Sequence, residues 1–411
     1  MKIVLATSSF SGGGITSYAH ELINCYSEGN DFSVIVGNDD QNPIVKDNVK
    51  VYKLNCSDTS FSNISNIIKL VNEDIKPDVL ISSCAKAIAL ALPYLNDSIK
   101  VITVSHSLKY IEADIAAFNH QYSDVVIALS SYNKAYLDKA FQIHDKNKVR
   151  VVYNFVKEHP RAEQLLEKKR QKKDVSIVFP GGAAASKSPE IVIQVLNELL
   201  NTDLKFKFYW LGSTSIHLIK YFPFLPNKDI KDIVKEDERV LFTGKVPREQ
   251  AEDIIANADV FLSPSRREGC PMSLIEAMRI GVIPIVADFD NANKEIVKDG
   301  VNGFVINHTN IGQFVSIIRD VVSNKEHFYL IYDMAKETYH DKLCYNVWKA
   351  KMDEIINHSQ TSHKKRDIEL SLSKYKKDLH KFIRMQKKDN ILFLLQEPMK
   401  LMLKLQRIRK N

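Results

Sequence analysis

Short runs of apolar, often β-branched residues alternate along this chain with stretches whose apolar residues recur at helical spacing, and the alternation occurs in two series. Strands that are apolar on both faces are buried between layers of helices, so the pattern requires parallel sheets covered on both sides. The first series predicts strands at Lys2–Ala6, Phe32–Val36, Val49–Leu54, Asp78–Ser82, Lys100–Val104, Asp124–Ala128 and Val149–Tyr153, with helices at Ile15–Ser27, Phe61–Asp74, Cys84–Leu95 and Ser131–Phe141. The second predicts strands at Val175–Phe179, Phe206–Leu211, Val240–Phe242, Ala258–Leu262 and Val282–Ala287, with helices at Pro189–Leu200, Arg248–Ala256, Met272–Arg279 and Ile311–Val322. Pro284 has no amide donor, so the paired part of its strand is expected after it. Between the two series, residues 158–174 are charged and hold no aromatic or β-branched residue, which predicts a solvated connection that can be partly helical. The expected fold is α/β: two Rossmann-like, doubly wound domains facing a cleft, with the carboxyl edges of both sheets turned to it.

A 411-residue chain with 45% apolar and 26% charged residues has the composition of two or three soluble domains. No stretch approaches the ~18 consecutive apolar residues of a membrane helix. Met1–Ala6 runs directly into Thr7 and Ser8, which suits a first strand rather than a signal peptide, so a cytoplasmic location is expected. Cys25, Cys56, Cys84, Cys270 and Cys344 are dispersed without metal-ligand spacing and read as reduced thiols.

The net charge of +7 is unevenly spread. Residues 361–411 carry fifteen Lys/Arg against five Asp/Glu, which leaves residues 1–360 at a net −3. Residues 344–358 have helical spacing through Val347, Trp348, Met352 and Ile355, residues 359–373 read as a polar linker, and the stretches 375–384 and 391–409 mix Lys and Arg with apolar residues around Pro398. This basic helical tail fits an anionic membrane surface; its apolar face is too large for the purely electrostatic arm that nucleic acid would require.

The densest chemistry lies between Val260 and Ile306. Glu268 falls in a loop after a predicted strand, and Glu276 falls on the helix that follows, with Pro271 suited to the first helical turn. A strand–loop–helix turn presents free N–H groups and a partial positive charge at the sheet edge, an arrangement that binds phosphate. The two carboxylates could form an acid/base couple, a platform for sugar hydroxyls, or plain surface charges; their place at the predicted cleft disfavours the last. From the end of the predicted strand Val175–Phe179, Phe179-Pro180-Gly181-Gly182-Ala183-Ala184-Ala185-Ser186-Lys187 offers small residues and a lysine before a helix, which suits a diphosphate although the P-loop spacing is absent. At the N-terminus, Gly12-Gly13-Gly14 opens a helix after the first strand and reads either as a phosphate approach or as a tight turn without ligand. The G-x-G-x-x-G spacing of dinucleotide oxidoreductases is missing. His106 follows a strand at the cleft edge, a position that by itself favours a structural histidine.

Taken together, these stretches resemble the GT-B glycosyltransferases, most closely the retaining glycosyltransferase family 4, over about residues 1–358. The resemblance is carried by S-P-S-R-R-E-G-C-P-M-S-L-I-E-A-M with G-V-I-P-I-V-A after it, by the Gly13-Gly14 loop, by Asn154, by F-T-G-K-V at 242–246 and by the later N-G-F-V-I. It implies an acceptor-side domain over 1–157, a linker over 158–174, a nucleotide-sugar-binding domain over 175–343, a closing helix over 344–358 and a basic amphipathic tail over 359–411. By the same resemblance, Glu268 contacts hydroxyls of the donor sugar and Glu276 the ribose. Pro271, Met272, Ser273 and Leu274 line the donor, Gly13, Gly14 and Lys187 meet the diphosphate, and His106 lies near the reacting end of the sugar. His106, Glu268 and Lys187 are the expected catalytic group, without a general base assigned to Glu268.

The activity so implied moves a sugar from a nucleotide-sugar to a glycan or lipid-linked acceptor with retention, in cell-envelope polysaccharide, lipopolysaccharide or glycoconjugate synthesis. No metal, cofactor or nucleic acid is expected. The enzyme would be held at the inner face of the membrane through residues 375–410. One departure stands out: the family's usual arginine after the strand-ending glycine is Gly182 here. The alternatives are a catalytically weak nucleotide-sugar-binding or scaffold protein and a nucleotide-sugar epimerase.

Overall fold

Strand order decides where a parallel sheet opens. In one sheet β1 (Lys2–Thr7), β2 (Asp31–Val36), β3 (Lys50–Lys53), β4 (Val79–Ser83), β5 (Lys100–Ser105), β6 (Val125–Ala128) and β7 (Val149–Val151) pair as β3-β2-β1-β4-β5-β6-β7. In the other, β8 (Val175–Phe179), β9 (Phe206–Leu211), β10 (Val240–Gly244), β11 (Val260–Ser263), β12 (Ile283–Ala287) and β13 (Phe304–Ile306) pair as β10-β9-β8-β11-β12-β13. All these pairings are parallel. The computed structural model describes residues 1–8, 10, 14–37, 46–172, 174–213, 237–357, 364–367 and 369–396. The chain forms two compact units, one holding residues 1–153 with the chain from 350 to 401, the other residues 154–349.

Local chemistry explains the elements. Strands such as β4, β5, β8, β11 and β12 are buried along their whole length, as doubly covered parallel strands must be. The crossover helix Gly14–Tyr26 buries Tyr18, Ala19, Leu22, Ile23 and Tyr26 on one face. The helix Phe61–Lys69 is capped by Ser60, whose hydroxyl accepts the Asn63 N–H at 3.3 Å.

The three-residue strand β13 and the helices Glu112–Ala117, Ala292–Ile296 and Tyr329–Thr338 lie outside the sequence-based expectations. Within the stretch read as a solvated connection, Ala162–Gln171 is helical and buries Leu165, Leu166 and Lys169. Pro284 is paired, contrary to the expected placement of its strand: Ile283 and Pro284 lie opposite Val260 and Phe261, while pairing with β13 begins at Ile285. The Ile283 N–H bonds to Asp259 on the β11 side, so the missing donor of Pro284 faces the side where β13 has not begun.

The C-terminal stretch differs most from expectation. Residues 364–367, read as linker, are bonded to the first unit: the Lys364 N–H donates to Gln121 O and the Asp367 N–H to Pro93 O, each at 2.6 Å. Arg366 is buried and donates to the carbonyls of Asn96 (2.6 Å), Ile99 (2.9 Å) and Tyr122 (2.9 Å), with Asp124 at 3.6 Å. A guanidinium leaves water at tolerable cost only with such a set of acceptors.

Beyond it Leu372–Gln396 is one helix. Its Tyr375 and Phe382 join the core built from Val4, Ile64, Leu80 and Ile88, with Leu379 and Met385 packed beside them. Phe382 meets Phe118 edge-on at 5.0 Å, and the Tyr94 hydroxyl donates to Asp378 at 3.0 Å. The apolar stripe of this segment, read as membrane-facing, therefore covers the protein's own core. The opposite face, with Lys376, Lys377, Lys381, Arg384, Lys387 and Lys388 around Ile383 and Ile391, is exposed. The rest of the expected surface, residues 397–410, lies outside the described residues.

Candidate functional site

The loops at the carboxyl ends of an open parallel sheet diverge where the strand order reverses, and the crevice between them takes ligands. In the second unit the reversal falls between β8 and β11. The loop after β8 carries Lys187 and the loop after β11 carries Glu268. Their side chains meet, with Lys187 Nζ 2.6 Å from Glu268 Oε1. Glu268 is 8% exposed, whereas the lysine side chain keeps 29% of its surface open. Arg266 ties the same two loops. Its N–H donates to Ser186 O at 2.9 Å, and its guanidinium donates to Ser188 Oγ at 2.9 Å and to Glu190 and lies 5.7 Å from the Phe289 ring centre.

A polar floor supports the Glu268 loop. Asn291 Nδ2 donates to Ser265 O at 2.8 Å, Asn293 Nδ2 to Ser263 Oγ at 2.9 Å, and Asn154 Nδ2 to Cys270 O at 2.6 Å. Burial pushes the Cys270 thiol up to about 12, which makes it inert packing. Sequence reasoning singled out Asn154 and missed Arg266, Asn291 and Asn293. The asparagine pair after β12 was the available signal, since Asn291 Oδ1 accepts the Asn293 N–H and caps the helix Ala292–Ile296.

The helix Met272–Met278 begins where the sequence suggests, with Pro271 extended at its N-cap rather than inside the first turn. The Leu274 N–H turns back to Pro271 O at 3.2 Å, while those of Met272 and Ser273 precede the first intrahelical bond. Glu276 lies on this helix, 8% exposed. Burial, then the like charge of Glu252, push its carboxyl up to about 7 against the pull of Arg248 and Arg279. Arg248 is 3.9 Å from Glu276, and Arg279 is 3.7 Å from Glu252.

Gly182 stands where the resemblance calls for arginine, and the backbone accounts for the glycine. Its φ is +56°, a Cβ there would lie 3.3 Å from Gly212 O, and its carbonyl accepts the Trp210 indole N–H at 2.8 Å. A branched or long side chain at this left-handed turn carries strain that glycine avoids. The turn itself thus favours glycine over arginine at this position.

In the first unit the strand order reverses between β1 and β4. Gly14 opens its helix with open space around the site of an added Cβ, while Gly13 lies outside the described residues. His106, just past β5, places Nε2 2.9 Å from Ser83 Oγ at the end of β4 and meets the Tyr18 ring edge-on at 4.9 Å. Burial pushes this imidazole down to about 4, so at neutral pH it is an uncharged hydrogen-bonding group. The loop beyond it is held by Asn133, whose Nδ2 donates to Ser107 O at 2.9 Å and Leu108 O at 3.1 Å, and then passes through left-handed Tyr110 and Ile111.

Residues 161–337 match the family described as Glycosyl transferases group 1, and residues 12–159 match Glycosyltransferase Family 4. The chain belongs to the GT-B glycosyltransferases. Among the relatives of this GT-B chain is an uncharacterized 41.2 kDa protein in the cps region of Klebsiella pneumoniae, 27% identical over 215 residues, or 51% of this chain and 54% of that one. An Escherichia coli UDP-Gal:alpha-D-GlcNAc-diphosphoundecaprenol alpha-1,3-galactosyltransferase is 33% identical over 88 residues, covering 21% of this chain and 22% of the enzyme. The chain thus spans about half or less of these curated relatives. In overall fold it is similar to Anabaena HepE, solved in complex with UDP-glucose, at 16% identity and a TM-score of 0.67 over 86% of this chain and 98% of that one.

The buried Glu276 carries a pH signature. A carboxyl whose pKa is raised to about 7 in the folded chain favours folding below its unfolded value, and that contribution is lost as pH rises through 7. Between pH 5 and 8, chemical denaturation should show wild type losing roughly 2–3 kcal/mol more stability than Glu276→Gln. Parallel pH profiles for the two proteins would contradict the burial argument.

Proposed function

We propose that this GT-B chain transfers a sugar from a nucleotide-sugar to a glycan or lipid-linked acceptor, with retention, in the synthesis of cell-envelope polysaccharide, lipopolysaccharide or a related glycoconjugate. The observation that carries the reading is the contact of Lys187 with Glu268 at the β8–β11 reversal, which places a cation suited to a diphosphate beside a carboxylate suited to sugar hydroxyls. In this reading Glu268 takes the hydroxyls of the donor sugar and Glu276 the ribose. Lys187, the N–H groups of Met272 and Ser273, and the Gly13-Gly14 backbone meet the phosphates, with Pro271 and Leu274 lining the donor. The departing nucleoside diphosphate gains negative charge as the anomeric bond breaks through an oxocarbenium-like state, and a fixed cation in a partly dry crevice stabilises that charge. Neutral His106 offers a hydrogen bond near the reacting carbon. The relatives support the substrate class: one is named for a diphosphoundecaprenol-linked acceptor, another lies in a cps region, and HepE was solved with UDP-glucose.

The exposed basic face of Leu372–Gln396 supports a second element of the proposal, a peripheral site on the inner face of the membrane. Each Lys or Arg near an anionic surface contributes about 1 kcal/mol, and exposed Ile383 and Ile391 add apolar contact.

Two experiments test the proposal. Across a panel of nucleotide-sugars, Lys187→Ala should weaken nucleoside diphosphate binding about 10- to 100-fold, since a charge-assisted hydrogen bond contributes roughly 1.5–3 kcal/mol, and Glu268→Gln should lose transfer while keeping the fold. Undiminished binding by Lys187→Ala, or no donor bound by wild type, would sink the reading. Tight binding without turnover on any acceptor would mark a scaffold, and donor interconversion without acceptor an epimerase. For the membrane, Glu in place of Lys376, Lys377, Lys381, Arg384, Lys387 and Lys388 should abolish co-sedimentation with phosphatidylglycerol vesicles; unchanged sedimentation would remove the surface from the proposal.

A further inference from the structure

His106 can give or take a hydrogen bond at the edge of the first sheet, depending on which ring nitrogen carries its proton. An imidazole titrates near 6.5, and burial lowers this one to about 4, so at neutral pH the ring holds a single N–H. The bond made at one nitrogen then fixes the proton on the other. Nε2 faces Ser83, the last residue of β4, which lies opposite Thr7 of β1 and Val104 of β5 and is fully buried. The chain turns directly after it through left-handed Cys84, at φ +55°.

Ser83 Oγ lies 2.9 Å from His106 Nε2, its one hydrogen bond among the described residues. A hydroxyl has one proton and two lone pairs. Were Nε2–H to donate, the Ser83 proton would be buried without an acceptor, at the full cost of its lost water, whereas an unused lone pair is tolerated more readily. The arrangement that strands no proton has Ser83 donating to Nε2, with the imidazole proton on Nδ1. Ring and backbone are held in place around this bond. Tyr18 stands edge-on to the imidazole at 4.9 Å, Ser105 Oγ donates to Ser107 O at 3.3 Å, and Asn133 Nδ2 holds the carbonyls of Ser107 and Leu108. Nδ1 has no hydrogen-bond partner among the described residues, and His106 keeps part of its surface open.

We infer that Ser83 is a positioning residue: its hydroxyl, donating to Nε2, holds the His106 proton on Nδ1 and so presents the imidazole to the reacting sugar as a hydrogen-bond donor. The group that Nδ1–H meets is then a sugar or phosphate oxygen with a lone pair to give. In this state the nitrogen that faces the substrate has no lone pair with which to take a proton from the acceptor, so His106 steadies an oxygen and does not act as a base. The inference rests on the reading of His106 as a neighbour of the reacting sugar.

Long-range nitrogen–proton spectra of the isotope-labelled chain read the tautomer directly, and the difference between wild type and His106→Ala picks this ring out among the twelve histidines. At pH 7 the wild-type Nδ1 should resonate as a protonated nitrogen and Nε2 as an unprotonated one, a result that needs no variant at Ser83. Ser83→Ala should lose that preference and lower kcat for transfer about tenfold, the scale of one hydrogen bond. Nucleoside diphosphate affinity, which rests on Lys187, should stay within about twofold. A serine that merely packs would change neither tautomer nor kcat. A proton on Nε2 in wild type, or an unchanged tautomer in Ser83→Ala, would overturn the assignment, and so would a changed tautomer with undiminished kcat where His106→Ala has lost transfer. Full transfer by His106→Ala would instead refute the reading of His106, while the spectra would still judge the bond from Ser83.

Discussion

The second unit's site depends on the ion pair between Lys187 and Glu268. Neither residue could be placed by its own loop alone: Lys187 ends a short turn of small residues after β8, and Glu268 lies in the loop after β11. Because β8 and β11 are neighbours on which the strand order reverses, the parallel sheet delivers both loops to the same edge. There the charges gain from each other as water is excluded, since their attraction grows as the effective dielectric falls. The pair leaves the lysine partly open, and a cation already held in place loses less freedom on meeting an anion. Arg266 reinforces the arrangement by gripping Ser188 and Glu190 at the start of the following helix.

Much of this was legible in the sequence, because parallel strands buried on both faces are written as continuous apolar runs. The two Glu residues, Lys187 and the flanking strands fall where that pattern puts them. Shorter features escaped. β13 is three residues long, below the length at which an apolar run stands out, and Glu112–Ala117 is six residues whose helical conformation follows a left-handed turn that no local propensity announces. Arg266 could not be told from a solvated arginine, since its partners Ser188 and Glu190 are distant in sequence. Pro284 was read too strictly: proline is tolerated inside the sheet because its missing donor points past the start of β13.

The C-terminal helix shows a different limit. An apolar stripe along a basic helix specifies an apolar partner but not which one, and lipid and protein core present the same demand. Tyr375 and Phe382 fill the first unit's core, and Arg366 is secured by three backbone carbonyls just upstream, so the apolar face is satisfied internally. What remains outward is mostly charge, around exposed Ile383 and Ile391. The arginine that the resemblance calls for after Gly181 is absent from the sequence, and a left-handed glycine closed against Gly212 occupies that position. The cationic part of the second unit's edge therefore centres on Lys187, with Arg266 engaged in holding the loops.

The most direct measurement is a crystal structure of the chain with a nucleoside diphosphate. The diphosphate should accept a hydrogen bond from Lys187 Nζ, and a ribose hydroxyl should bond to the Glu276 carboxyl, both at the β8–β11 edge. A nucleotide bound elsewhere, or at that edge with Lys187 still engaged solely by Glu268, would contradict the central claim.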